Sequence, residues 1–141
     1  MKFILANDHG GYELKNEIKQ YLLSKGFEIE DLGCDGSSVS YAEYGKKLAD
    51  QVIIEKSAIG IGICGTGLGI SFAVNRVKGI RGARITSIED AQMAKMHNNA
   101  NILLFGGRQQ TIEEVIKMID AFINNDFEAG RHIPRIEELD N

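Results

Sequence analysis

The chain has 141 residues, 43% of them hydrophobic, and a formal net charge of −4 from 16 basic and 20 acidic side chains. That length fits one domain with an ordinary core and no need of disulfide or metal support. The acidic balance excludes the broad cationic footprint of a general nucleic-acid binder, so any anionic ligand must be met by a local cluster.

In chain order, Phe3 to Ala6 reads as a first strand, interrupted at Asn7-Asp8-His9 before any signal-peptide apolar region develops. No stretch approaches the ~20 apolar residues of a membrane helix. The expectation is a soluble, cytoplasmic protein with no membrane partner. Leu14, Ile18, Tyr21 and Leu22 mark an apolar helical stripe, followed by a second strand at Phe27 to Ile29. Ser40 with Glu43 opens another helix. Ile59 to Ile63 has the near-continuous apolar character of a buried strand and runs into the turn Cys64-Gly65-Thr66-Gly67-Leu68-Gly69. Strands follow at Gly82 to Ile85 and Ile102 to Phe105, with helix starts at Ser87/Asp90 and Thr111/Glu114. Val115, Ile116, Ile119, Phe122 and Ile123 form the last stripe. The segment from Glu128 to Arg135 is too polar for core and reads as a frayed tail or an arm laid across a partner. Alternation of strand and helix predicts a single doubly wound, Rossmann-like α/β domain over residues 1–141. It has about five parallel strands with helices on both faces, and residues 128–141 are set apart as a C-terminal arm.

Ligands in such folds bind beyond the carboxyl ends of the strands. There the sequence puts Asp8 and His9, then Cys64 and Thr66, then Gly106-Gly107-Arg108. Glycines at 65, 67 and 69 let backbone N–H groups converge on an anion or oxyanion. Cys64 alone is more often a small buried hydrophobe than a catalyst, but the glycine-rich turn and a helix starting soon after it favour a thiolate. Cys34 has no such cradle and reads as incidental. With no C-x-x-C pair and no ligand cluster, the two cysteines predict neither disulfide nor zinc. Asp8 could simply cap its loop, or offer a carboxylate beside the His9 imidazole. His97 could cap a helix C-terminus or serve as an acid–base group. Arg108, Arg131, His132 and Arg135 are either a solvated surface or, if they converge, a phosphate clamp. Gly60-Ile61-Gly62-Ile63-Cys64-Gly65 matches the dinucleotide pattern G-x-G-x-x-G only formally, because its first two glycines fall inside the strand.

Several motifs in order resemble the ribose-5-phosphate isomerase B family, which includes the subunits of galactose-6-phosphate isomerase. They are Asp8-His9-Gly10-Gly11 with Leu14-Lys15, the run Ile63 to Ser71, Asn75, Gly79-Ile80-Arg81, His97-Asn98, Asn101, Phe105-Gly106-Gly107-Arg108 and Gly130-Arg131-His132. The resemblance covers essentially the whole chain. It implies aldose–ketose isomerisation through an enediolate, without metal or organic cofactor. On that footing Cys64 is the base, Thr66 relays protons between substrate oxygens, and the backbone of Gly65, Gly67, Leu68 and Gly69 stabilises the oxyanion. His97, with Asp8 nearby, assists ring opening. His9, Tyr41 and Asn98 hold hydroxyls. Arg131 and Arg135 bind phosphate, with Arg108 and His132 contributing from the same or a neighbouring subunit. The implied assembly is a homodimer or tetramer with sites at the interface, acting on a small-molecule sugar phosphate. Because both Cys64 and His97 are present, a self-sufficient homo-oligomer acting on ribose 5-phosphate and ribulose 5-phosphate is favoured over a hetero-oligomeric galactose 6-phosphate enzyme, with a 6-phosphate aldohexose such as allose 6-phosphate as the alternative substrate. A non-catalytic sugar-phosphate or nucleotide binding module remains the alternative. Many relatives carry Asp-Tyr-Pro where this chain has Ser40-Tyr41-Ala42, which removes a carboxylate and a rigid proline from the loop.

Overall fold

The five apolar runs become five strands: β1 (Lys2–Asn7), β2 (Glu28–Asp31), β3 (Ile59–Cys64), β4 (Gly82–Arg84) and β5 (Ile102–Gly106). The structure is a computed structural model that describes residues 1–141. All neighbouring strands are parallel, in the order β2-β1-β3-β5-β4. From β1 the chain winds outward to β2 and then returns to β3 on the other side. The topological switch point, where such sheets open a crevice, therefore lies between β1 and β3.

The helices are α1 (Tyr12–Ser24), α2 (Tyr41–Ile54), α3 (Leu68–Val74), α4 (Ile88–Met96), α5 (Ile112–Ile123) and α6 (Ile133–Asp140). Strand side chains alternate between faces. Phe3, Leu5, Ile61, Ile63, Leu103 and Phe105 pack with α1, α4 and α5. Ile4, Ala6, Ile102 and Leu104 pack with α2 and α3. Covering both faces requires strands that are apolar throughout, which is why these runs read as buried in the sequence. Gly60 and Gly62 sit within β3 and let α2 and α3 close on it. A Cβ at Gly62 would stand 2.8 Å from Leu104 Cδ1 and 3.1 Å from Leu48 Cδ2. The formal dinucleotide pattern is thus a packing device.

Local signals set the helix starts. Ser40 Oγ accepts from the N–H groups of Ala42 and Glu43, and Thr111 with Glu114 forms a complete capping box. Ser87 Oγ accepts from Asp90 N, while the Asp90 carboxylate turns to the N–H and hydroxyl of Thr86. Each such cap is worth about 1 kcal/mol. At the end of β2, Asp31 accepts from buried Lys15 at 2.8 Å, from Lys19 and from Gly33 N. Burial alone would raise the Asp31 pKa, but these donors together hold it below the usual value.

The C-terminal segment is no frayed tail. It forms a 3-10 turn, Gly130–His132, and then α6, and it returns to its own domain, where Arg81 Nη1 reaches Asp140 Oδ1 at 2.8 Å and Oδ2 at 2.6 Å.

Candidate active site

At the carboxyl ends of the strands, Cys64 closes β3 with its sulfur buried and accepting a hydrogen bond from Gly67 N at 3.1 Å. Gly67 can make that turn because its φ is +80°, and a Cβ there would press on the Phe105 carbonyl. Helix α3 starts at Leu68, one turn later than Cys64 itself. Leu68 N donates to Thr66 Oγ1 at 3.1 Å, which leaves the Thr66 hydroxyl proton free to donate outward. Two of the N–H groups in the run are therefore used locally. Those of Gly65, Thr66 and Gly69 have no acceptor within the chain, so they are the donors the cradle offers to an oxyanion.

Around this turn stand the other residues of the same edge. Asp8 is buried and caps its own loop, with Oδ1 accepting from Gly10 N at 2.9 Å; its second carboxylate oxygen makes no hydrogen bond. Gly10 and Gly107 allow the loops after β1 and β5 to meet, since a Cβ at Gly107 would collide with the Gly10 carbonyl. The Arg108 guanidinium lies across Gly65. With His9, Tyr12, Glu13 and Gly36 it lines an open cleft of about 330 Å³. Tyr41, the first residue of α2, stands over Gly69, where a Cβ would come within 2.7 Å of its ring.

His97, Asn98, Arg131, His132 and Arg135 are elsewhere. His97 caps the C-terminus of α4 and precedes β5, so the parallel topology puts it at the amino ends of the strands. Its ring stacks on that of buried His132, with centroids 4.4 Å apart and planes 17° from parallel. Glu128 Oε1 stands 3.4 Å from His97 Nε2 and 3.6 Å from His132 Nε2. Burial first, then the charges of His97 and Arg131, push the His132 pKa below its usual 6.5, against the pull of Glu128. The expected nearness of Asp8 to His97 does not occur within one chain. Along β3 alone the two edges are about 13 Å apart at ~3.3 Å per residue.

His97, Glu128 and His132 are also the one group of donors that could hold a metal, with ligand atoms within 4.8 Å of one another. Arg131 and Arg135 bring positive charge to the same histidine, which opposes a cation.

Sequence reasoning missed three contributors. Arg84, at the end of β4, donates from Nε to the Thr66 carbonyl at 3.0 Å and from Nη2 to Gln109, bracing the Cys64 turn. A charge at the carboxyl end of a strand was the available signal. Asn7 donates to the Asp8 carbonyl and to Cys34 Sγ at 3.4 Å, so Cys34 is a buried tether of its loop and not incidental. Arg81 fixes the segment after His97, with Nε on Asn98 O and Nη2 on Asn99 O.

The family model described as Ribose/Galactose Isomerase matches residues 3–139. A putative sugar phosphate isomerase of Rickettsia conorii is 46% identical over 96% of this chain and 95% of its own. Ribose-5-phosphate isomerase B of Escherichia coli is 37% identical over 98% and 93%. Among solved structures, a ribose 5-phosphate isomerase of Thermotoga maritima superposes with a TM-score of 0.94 at 45% identity, covering 99% of this chain and 97% of that one. Ribose-5-phosphate isomerase B of Mycoplasma genitalium, solved with bound ribulose-5-phosphate, gives 0.93 at 37% identity, covering 99% and 93%.

Proposed function

Since this chain belongs to the ribose/galactose isomerase family, we propose that it interconverts ribose 5-phosphate and ribulose 5-phosphate by proton transfer, with Cys64 as base and no metal. The observation that carries this reading is the Cys64 turn: a buried sulfur beside three backbone N–H groups without acceptors and a hydroxyl free to donate. In the forward direction the Cys64 thiolate takes the proton from carbon 2 of the open-chain aldose. The electron pair moves through carbon 1 onto the carbonyl oxygen, and the resulting oxyanion is held by Gly65, Thr66 and Gly69 N–H. Each well-placed donor is worth about 3 kcal/mol. Thr66 carries the hydroxyl proton from oxygen 2 to oxygen 1, and Cys64 returns its proton to carbon 1.

Ring opening needs a second acid–base group at the same sugar, and the phosphate needs cations. His97, Arg131 and Arg135 supply these from the opposite edge of the sheet, so a complete site takes two copies of the chain in a homodimer. One copy gives Cys64, Thr66, Asp8, His9, Tyr41 and Arg108; the other gives His97, Asn98, Arg131, His132 and Arg135. In support, Leu68, Tyr41 and Phe72 are exposed beside the Cys64 turn, and Ile133 is exposed on α6. Apolar surface at both half-sites is what such an interface would cover.

The test is isomerisation after exhaustive chelation, comparing kcat/KM for ribose 5-phosphate, allose 6-phosphate and galactose 6-phosphate. A clear preference for the pentose with undiminished rate supports the proposal. Preference for a hexose phosphate overturns the substrate, rescue of a chelated enzyme by metal overturns the mechanism, and no turnover with retained binding indicates a binding module.

A further inference from the structure

Helix α6 presents a physical puzzle. It has eight residues and none of them is buried, and a helix of that length does not persist in water on its own propensity. Its last residue is Asp140, a negative charge at the end of the macrodipole where a cation would be favoured. Asp140 therefore does not serve the helix that carries it. Its partner is Arg81, whose Nη1 meets both carboxylate oxygens at 2.8 and 2.6 Å.

The same guanidinium turns two more of its five N–H groups to one segment, with Nε on Asn98 O at 3.1 Å and Nη2 on Asn99 O at 3.0 Å. Arg81 is itself anchored: its N–H donates to Asn101 Oδ1 at 2.8 Å, and Asn101 Nδ2 returns to Gly79 O at 2.9 Å. At the other end of α6, His132 stacks on His97. Two elements far apart in sequence, the His97-Asn98-Asn99 turn and α6 with Arg135, are thus joined at the start of the helix by the His132 stack and at its end through Arg81, whose side chain is 15% exposed.

We propose that Arg81 is a positioning residue that locks the ring-opening turn and the phosphate-gripping helix into one rigid unit, with Asp140 as the latch on the helix. The inference rests on the isomerase reading for the roles of His97 and Arg135. Arg81 touches no reacting atom; it acts by fixing where these groups stand relative to each other. Its two arms are separable. Loss of Asp140 frees α6 and the phosphate grip alone, while loss of the guanidinium also releases the turn that holds His97.

Full-length Asp140→Asn, Arg81→Lys and Arg81→Met proteins are compared with the parent, each first shown to be folded by circular dichroism and thermal melting. The readouts are KM and kcat for ribose 5-phosphate, and the protection that inorganic phosphate gives against thermal unfolding. Asp140→Asn is expected to raise KM and the phosphate concentration for half-protection together, by about fivefold, with kcat nearly unchanged. Arg81→Met adds a fall in kcat of about tenfold. Arg81→Lys keeps a cation for Asp140 but cannot span both carbonyls, so it recovers KM more than kcat. A purely structural role would lower the melting temperature and the active fraction while the kinetics of the folded remainder stayed as in the parent. That result, or unchanged KM and phosphate protection in Asp140→Asn, overturns the proposal. A parent protein that binds phosphate but turns over no ribose 5-phosphate sinks the isomerase reading instead, and the phosphate measurement still decides whether Asp140 latches the grip.

Discussion

If the site is shared, two inactive variants must make an active mixture. Cys64 ends β3 opposite Gly106, and His97 lies before the start of β5, where Ile102 pairs with Gly60. Four strand residues separate those rows, about 13 Å at ~3.3 Å per residue. An acid–base group must come within ~3 Å of the proton it moves, and the atoms served by these two groups are close neighbours on one small sugar. A single chain therefore falls short by roughly 10 Å, more than side-chain rotation can supply. Cys64→Ala and His97→Asn should each lose about two to four orders of magnitude in kcat. When the two are unfolded together and refolded one to one, half of the dimers are mixed. Each mixed dimer has one site with both groups intact and one with neither, so activity recovers to about a quarter of the parent value. The assay is ketose formation from ribose 5-phosphate by the unfractionated mixture, and then by mixed dimers purified through two different tags, for which about half of the parent activity is expected. Mixed dimers no more active than either parent would refute the shared site. So would a dilute monomer that keeps full activity per chain.

Arg84→Leu removes the brace on the Thr66 carbonyl and should cut kcat about tenfold with little change in melting temperature, which steady-state kinetics and calorimetry separate. Gly62→Ala forces a methyl against Leu104, Ile70 and Leu48 and should cost about 1–3 kcal/mol in denaturant unfolding. Ala129 holds φ +57° before the turn that carries Arg131, so Ala129→Gly should gain about 1 kcal/mol by relieving a conformation that suits only glycine. The His132 pKa is lowered on folding, so the unfolded chain takes up this proton first. Stability should fall as pH drops below 6.5 and level off below the folded pKa. His132→Asn should flatten that slope in melts between neutral pH and the acid limb.

Strands, helices and the Cys64 turn were legible because local chemistry writes them. Alternating faces buried on both sides give continuous apolar runs, helix starts carry Ser40, Ser87 and Thr111, and a turn at φ +80° takes Gly67. The doubly wound class followed from alternation alone. Sequence also held an unused clue to where His97 and Asn98 lie, since they follow a helix and precede a strand, and in a parallel sheet that position belongs to the amino edge. What no local pattern carries is which distant side chains meet. Arg81 finds Asp140 across 59 residues and Arg84 finds Thr66 across 18. These pairings exist only after the sheet order and the return of the C-terminal helix bring the partners within hydrogen-bond reach. The chemistry was therefore set by residue types along the chain. The separation of Cys64 from His97, about a strand's length, was set by the direction in which parallel strands must all run.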